Sequence, residues 1–309
     1  MRFSSFPISI FLLFVVSLPG ITEPEERHEM ITIDTGLYSF KAVEMGNPTD
    51  EPVILLHGFP ETSVMWQRLQ ELLAENSYYS IAPDQRGYSP GARPAGKSGY
   101  EVRLLAADVI AIADNMNIEK FHLIGHDWGS AVGWVVAAEY PERIISWTAL
   151  SVPHLTSFGT ALISDPAQRE ASTYMRLFQW PIIPEIVLKA NKFKNLISIW
   201  EHSSEDEVAR YLSVFRQSGT VAAALNWYRA NYSSLIRGKI DIGAVDKPTL
   251  FIWGTGDPAI LRVAAESNKN YVTGSYHEYF IDAGHWLIQE SFSQVSGRIL
   301  EHLNSWRVQ

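Results

Sequence analysis

The chain has no cysteine, so no disulfide staples it even if it is exported. It also lacks any cysteine or histidine cluster at metal-ligand spacing, and no metal or organic cofactor is expected. Positive charge is in deficit: 25 Lys and Arg against 34 Asp and Glu leave a formal net charge of -9, which argues against nucleic acid as a partner. Neither an internal repeat nor a low-complexity tract is present, which sets aside solenoids and disordered tails. Long apolar runs are scarce as well. The longest, Pro7 to Leu18, follows Arg2 and leads into Pro19-Gly20-Ile21-Thr22 and the acidic stretch Glu23 to Glu26. It is short of the ~20 residues that cross a bilayer. A basic start, a short apolar core and small residues beyond it read as a secretory signal peptide over residues 1–22. That predicts secretion or residence in the secretory lumen, with no stable membrane insertion after cleavage; an uncleaved membrane anchor is the alternative. Asn231-Tyr232-Ser233 matches the glycosylation tripeptide of such a pathway.

What is present is a 309-residue chain, 46% hydrophobic, long enough for a large core carrying one insertion. Ile31 to Thr35 and Tyr38 to Glu44 alternate as two hairpin strands. Apolar runs at Val53 to Leu56, Ser80 to Asp84, Phe121 to Ile124 and Ile144 to Leu150 read as strands. Between them, helical spacing marks Met65 to Leu73, Val102 to Met116 and Ser130 to Tyr140. Such alternation predicts a mainly parallel sheet covered on both faces. From about Val152 to Asp246 the patterns are almost only helical, at Ala171 to Phe178, Pro184 to Phe193, Glu205 to Arg216 and Val221 to Tyr232. Alternation then resumes with a strand at Thr249 to Gly254, a helix around Ala259 to Tyr271, a strand near Glu278 to Ile281 and a last helix to about Trp306. The expected organisation is a core over residues 30–151 and 247–309, with a helical cap over residues 152–246 above the strand ends, where ligands bind.

Four features fall at the carboxyl ends of four of these strands. Gly125-His126-Asp127-Trp128-Gly129 has the G-x-Nuc-x-G form of a strand-turn-helix nucleophile elbow, with aspartate presented in place of serine. A carboxylate is ionised at neutral pH, and it can displace a leaving group from an sp3 carbon to give an ester on the protein. His57-Gly58-Phe59-Pro60 offers the Phe59 N–H, which with the Trp128 N–H could form an oxyanion hole. Trp253-Gly254-Thr255-Gly256-Asp257-Pro258 supplies a carboxylate and Gly284-His285-Trp286 an imidazole. The chain order Asp127, Asp257, His285 is nucleophile, acid, base.

These motifs, with Asp84-Gln85-Arg86-Gly87-Tyr88-Ser89, resemble those of the α/β-hydrolase superfamily from about residue 30 to the C-terminus, and within it the epoxide hydrolase branch, related to the haloalkane dehalogenases. The resemblance implies an α/β-hydrolase fold, a mainly parallel eight-stranded sheet with a helical lid. It also implies two lid tyrosines that open the epoxide ring: Tyr174, in Ser172-Thr173-Tyr174-Met175-Arg176, and Tyr228, in Leu225-Asn226-Trp227-Tyr228-Arg229. A departing halide needs only N–H donors, whereas an epoxide oxygen leaves as a basic alkoxide and needs a proton donor such as neutral tyrosine. Phe59 stands where haloalkane dehalogenases often have asparagine, and Trp128 cannot grip a haloacid carboxylate. The expected activity is hydrolysis of an apolar epoxide to a vicinal diol, with Phe59, Trp128 and Trp286 around the substrate. A dehalogenase and a ligand-binding homologue without turnover are the rival readings.

Overall fold

The computed structural model describes residues 29–308, so the apolar run at Pro7 to Leu18 lies outside the described residues. Eight strands, β1 (Glu29–Asp34), β2 (Ser39–Met45), β3 (Glu51–Leu56), β4 (Tyr78–Pro83), β5 (Phe121–His126), β6 (Ile144–Leu150), β7 (Thr249–Gly254) and β8 (Tyr276–Ile281), form one sheet. Their order is β1-β2-β4-β3-β5-β6-β7-β8. Pairing is antiparallel from β1 to β2 and from β2 to β4, and parallel everywhere else. Every residue of β4, β5 and β7 is buried. That explains why these strands read as continuous apolar runs rather than alternating ones: helices cover both faces of a parallel sheet. The connections include α1 (Gln67–Glu75), α2 (Val102–Asn115) and α3 (Trp128–Glu139).

Between β6 and β7 come six helices in succession: α4 (Leu155–Ser164), α5 (Pro166–Ala171), α6 (Thr173–Leu177), α7 (Ile183–Ile197), α8 (Glu205–Phe215) and α9 (Thr220–Leu235). They sit over the carboxyl ends of the strands, and two indole N–H groups tie them there. Trp200 donates to the Pro60 carbonyl at 3.1 Å, and Trp227 to the Arg86 carbonyl at 2.9 Å. The chain finishes with α10 (Arg262–Glu266), α11 (Leu287–Glu290) and α12 (Phe292–Ser305).

The structure departs from the sequence reading at several points. Helix α4 was not anticipated, because its outward stripe, Thr156, Thr160, Ile163 and Ser164, carries no charge and includes an exposed isoleucine, which blurs the amphipathic pattern. Within the segment Ala171 to Phe178 only the short helix α6 forms, and a separate helix, α5, capped by Asp165 with Pro166 in its first turn, ends at Ala171. Helix α7 is kinked where Asn191, Lys192 and Phe193 take positive φ. Asn231 is buried, and its side-chain amide donates to the carbonyls of Tyr100 (2.9 Å) and Trp227 (2.8 Å) while accepting from the Val102 N–H (2.9 Å). The tripeptide is a brace between α9 and α2 in the folded chain, and a glycan on Asn231 is incompatible with it.

His154 caps the start of α4. Its Nδ1 accepts from the Thr156 N–H (3.2 Å), and its Nε2 faces the Gly243 carbonyl (3.0 Å), so both nitrogens are used by the neutral ring. Burial pushes its pKa down to about 4, only partly opposed by that carbonyl and by the charge of Asp241. The unfolded chain takes up this proton near 6.5 and the folded chain only near 4, so the contribution is lost as pH falls through that window. A gap of that size corresponds to ~3 kcal/mol. Thermal unfolding by circular dichroism across that window is expected to fall more steeply for the wild type than for His154→Asn, which keeps a cap but cannot titrate; parallel slopes would contradict it.

Candidate active site

Asp127 occupies the turn between β5 and α3 with φ 52° and ψ -119°, a region that non-glycine residues rarely enter. The turn is held in a space that admits no flanking side chain. A Cβ on Gly129 would lie 1.9 Å from the Leu56 carbonyl oxygen, and one on Gly58 would lie 2.4 Å from the Asp127 carboxylate. Because both are glycine, the loop after β3 comes close enough for the Phe59 N–H to donate to Asp127 Oδ1 at 2.8 Å. Trp128 opens α3, so its N–H has no acceptor within the helix.

The other carboxylate oxygen, Oδ2, lies 3.4 Å from His285 Nε2, while His285 Nδ1 is 2.7 Å from Asp257 Oδ2. Asp257 is fixed in turn by the N–H groups of Ala259 and Ile260, at 2.8 and 3.0 Å from its Oδ1. All three side chains are buried. Burial alone would raise the Asp127 carboxyl, but the bond to His285, its charge and that of His126, and the Phe59 N–H hold it below the usual carboxylate value. Burial alone would lower His285, but the charge of Asp257 and its bonds to both carboxylates hold it well above 6.5. The resting site therefore pairs an ionised nucleophile with a protonated histidine.

Above them sit Tyr174 on α6 and Tyr228 on α9, with ring centroids 6.0 Å apart. Tyr228 packs edge-on against Trp128 (5.1 Å) and Phe59 (5.5 Å). Burial first, then the charge of Asp127, pushes both phenols above their ordinary value of 10. They stay neutral and keep their protons. Asp127, Trp128, Tyr174 and Tyr228 line a narrow cavity whose remaining wall is apolar, including Leu155, Phe158 and Ile260. The space open to the centre of a water molecule is about 30 Å3.

The α/β hydrolase fold family matches residues 51–292. The chain belongs to the α/β-hydrolase family. It is 32% identical over 279 residues to the AB hydrolase superfamily protein YfhM of Bacillus subtilis, covering 88% of this chain and 97% of that one. Against mouse epoxide hydrolase 4 the figures are 33% identity, 86% and 76%. A crystal structure of a Bacillus megaterium epoxide hydrolase in complex with an inhibitor superposes with a TM-score of 0.81 at 25% identity, covering 89% of this chain and all of that one. Within its family this α/β-hydrolase is epoxide hydrolase-like.

Several residues of this α/β-hydrolase site were not singled out from sequence. His126 Nε2 lies 2.9 Å from the His285 carbonyl, which also accepts from Ser151 Oγ at 2.7 Å. His126 Nδ1 faces the buried Glu61 carboxylate at 3.2 Å, and Gln289 donates to Glu61 at 2.6 Å. Glu290 accepts from the N–H groups of Gly284 (2.6 Å) and Trp286 (3.0 Å). Together these fix the loop that carries the imidazole. The only sequence signal was adjacency, since His126 and Trp286 flank Asp127 and His285. Trp286, expected around the substrate, instead packs its ring on His285 (4.9 Å) and His126 (5.6 Å) and is not in the wall of the cavity. Phe59 likewise gives the site its N–H, while its ring supports Tyr228.

Because two carboxylates hold the His285 proton, Asp127→Asn is expected to bring the His285 pKa down toward 6.5 in a histidine NMR titration. An unchanged value would mean that Asp127 does not hold that proton.

Proposed function

We propose that this α/β-hydrolase converts an apolar epoxide to a vicinal diol through an ester on Asp127. The observation that carries the reading is that two neutral phenols, one buried and one half-buried, line the same largely apolar cavity as an ionised, hydrogen-bonded carboxylate. The likeness to proteins named as epoxide hydrolases supports it.

In the first step an Asp127 oxygen attacks one ring carbon and the carbon–oxygen bond on its far side breaks. The ring oxygen leaves as an alkoxide and takes a proton from Tyr174 or Tyr228. Forming the ester cancels the charge on Asp127. His285 then has one carboxylate partner in place of two, so its pKa falls and it gives up its proton, which restores the tyrosine that protonated the ring oxygen. The histidine becomes a base when, and only when, there is an ester to hydrolyse. Oriented by Asp257, it takes a proton from water, which attacks the ester carbonyl carbon. The N–H groups of Phe59 and Trp128 hold the oxyanion; its collapse breaks the bond from the acyl carbon to the substrate oxygen, which takes the proton of the new carboxyl group, so the diol leaves with Asp127 ionised and His285 protonated again. The nucleophile, the acids and the water activation all come from side chains, so the scheme requires no metal or organic cofactor.

A dehalogenase would share the first step but would have no use for paired phenols. Phe59 also offers no side-chain donor for halide. The apolar run at Pro7 to Leu18 supports entry into the secretory pathway.

Turnover of styrene oxide and of 1-bromohexane, followed by mass spectrometry of the organic products and by bromide release, separates the readings. Diol from the epoxide and no bromide is expected, with Tyr228→Phe lowering kcat by ~10²-fold or more, the scale of a lost general acid. Bromide release without diol would move the protein to the dehalogenases. An intact fold silent toward a panel of both substrate classes would favour ligand binding without turnover.

A further inference from the structure

Helix α7 is apolar on two opposite sides. Pro184 and Leu188 face the protein and are buried, as an amphipathic helix requires. Ile183, Ile186 and Val187, at the i, i+3, i+4 spacing of a single stripe, face away from it and are exposed. Ile182, Trp180 and Leu177 extend the patch toward α6, with Ile182 at 67% and Ile186 at 62% exposure. Six large apolar side chains in eleven residues is more than scattered surface hydrophobicity explains, and such patches mark interaction sites.

The surroundings identify the partner. Arg176, Lys189, Lys192 and Lys194 lie in the same segment and are all exposed. Its sole acid, Glu185, is neutralised by Arg229 at 2.7 Å. A local excess of positive charge within a chain of net charge -9, set beside exposed isoleucines and a tryptophan, is the chemistry of an anionic bilayer surface. Among the described residues no helix is long and apolar enough to cross a membrane, so the patch can lie on a bilayer but not span it.

We propose that the α6–α7 face of the cap docks reversibly on an anionic lipid surface. The position suits access to the cavity. Phe178, inside this stretch, packs on Tyr228 at 5.0 Å, and Gln179 donates to the Tyr228 carbonyl at 3.3 Å. A surface cleft between Gln179, Pro181, Ile182 and Arg229 opens along the flank of the patch. Delivery of a bilayer-dissolved epoxide through this face rests on the epoxide reading; the docking itself does not, and it is measured without substrate.

The full chain is sedimented with vesicles of phosphatidylcholine containing phosphatidylglycerol and with vesicles of phosphatidylcholine alone. The apolar run at Pro7 to Leu18 is present in every sample, so differences between variants report the patch. The paired change Ile186→Glu, Val187→Glu is expected to lower partition onto the anionic vesicles by about tenfold or more. Lys189→Gln, Lys192→Gln, Lys194→Gln together should abolish the preference for anionic over neutral lipid, as high salt should in the wild type. Both variants should keep the wild-type melting temperature and styrene oxide turnover in detergent-free buffer, since none of these residues touches the site. Equal partition of wild type and the glutamate variant would overturn the proposal. So would a wild-type dimer, seen by sedimentation velocity, that the glutamate pair dissociates while vesicle binding stays the same, which would assign the patch to a second copy of the chain.

Discussion

At the turn between β5 and α3 the backbone of Gly129 passes so close to β3 that one methyl group there would stand 1.9 Å from the Leu56 carbonyl oxygen. This contact draws the start of α3 against the loop after β3, and it leaves Asp127 with a backbone conformation that has no room to relax. Because the loop is close, the Phe59 N–H reaches the carboxylate. Because the carboxylate is held, its second oxygen meets an imidazole that arrives from β8, at the far edge of the sheet. The strand order therefore matters less for its own stability than for bringing the loops after β3, β5, β7 and β8 to one place.

A single proton links those loops electrostatically. His285 stands between two buried carboxylates, and each stabilises its charged form. Such an arrangement is stable only while both carboxylates are ionised. In the proposed scheme esterification of Asp127 upsets it, and that imbalance releases the base. The tyrosines act in the opposite sense. Burial and the same negative charge keep them protonated, which suits them to the role of acids in that scheme. The apolar cap that desolvates these phenols also carries, on its outer side, isoleucines with nothing to bury them. One sequence segment thus serves the cavity with Phe178 and faces outward with Ile183, Ile186 and Val187.

Much of this was legible in the sequence. The elbow glycines, the aspartate between them, and the acid and imidazole after later strands are local signals with fixed spacing, and the structure sets His285 between Asp127 and Asp257, 3.4 Å from the one and 2.7 Å from the other. The parallel strands were legible because burial on both faces leaves an unbroken apolar run. Helix α4 was not, because its exposed stripe holds only threonines, a serine and an isoleucine and so contrasts little with its buried side. The single helix expected around Ala259 to Tyr271 is a five-residue helix, Arg262–Glu266, followed by a 3-10 turn at Asn268–Tyr271, while Ala259 and Ile260 turn their N–H groups to Asp257. Asn231 read as a glycan acceptor because a tripeptide carries no information about burial. Glu61 and Glu290 escaped notice for a related reason. Their partners, His126 and the Gly284 and Trp286 N–H groups, are set by how loops meet in space.

The central claim is that a covalent bond forms between substrate and Asp127. A single turnover of styrene oxide with enzyme in excess, in water enriched in heavy oxygen, tests it directly. The account predicts a first-turnover diol whose new oxygen is unlabelled, because it came from the carboxylate, with the heavy isotope found in the peptide containing Asp127. A diol labelled in that first turnover, with Asp127 unlabelled, would mean that water attacks the epoxide directly and that the carboxylate is not the nucleophile.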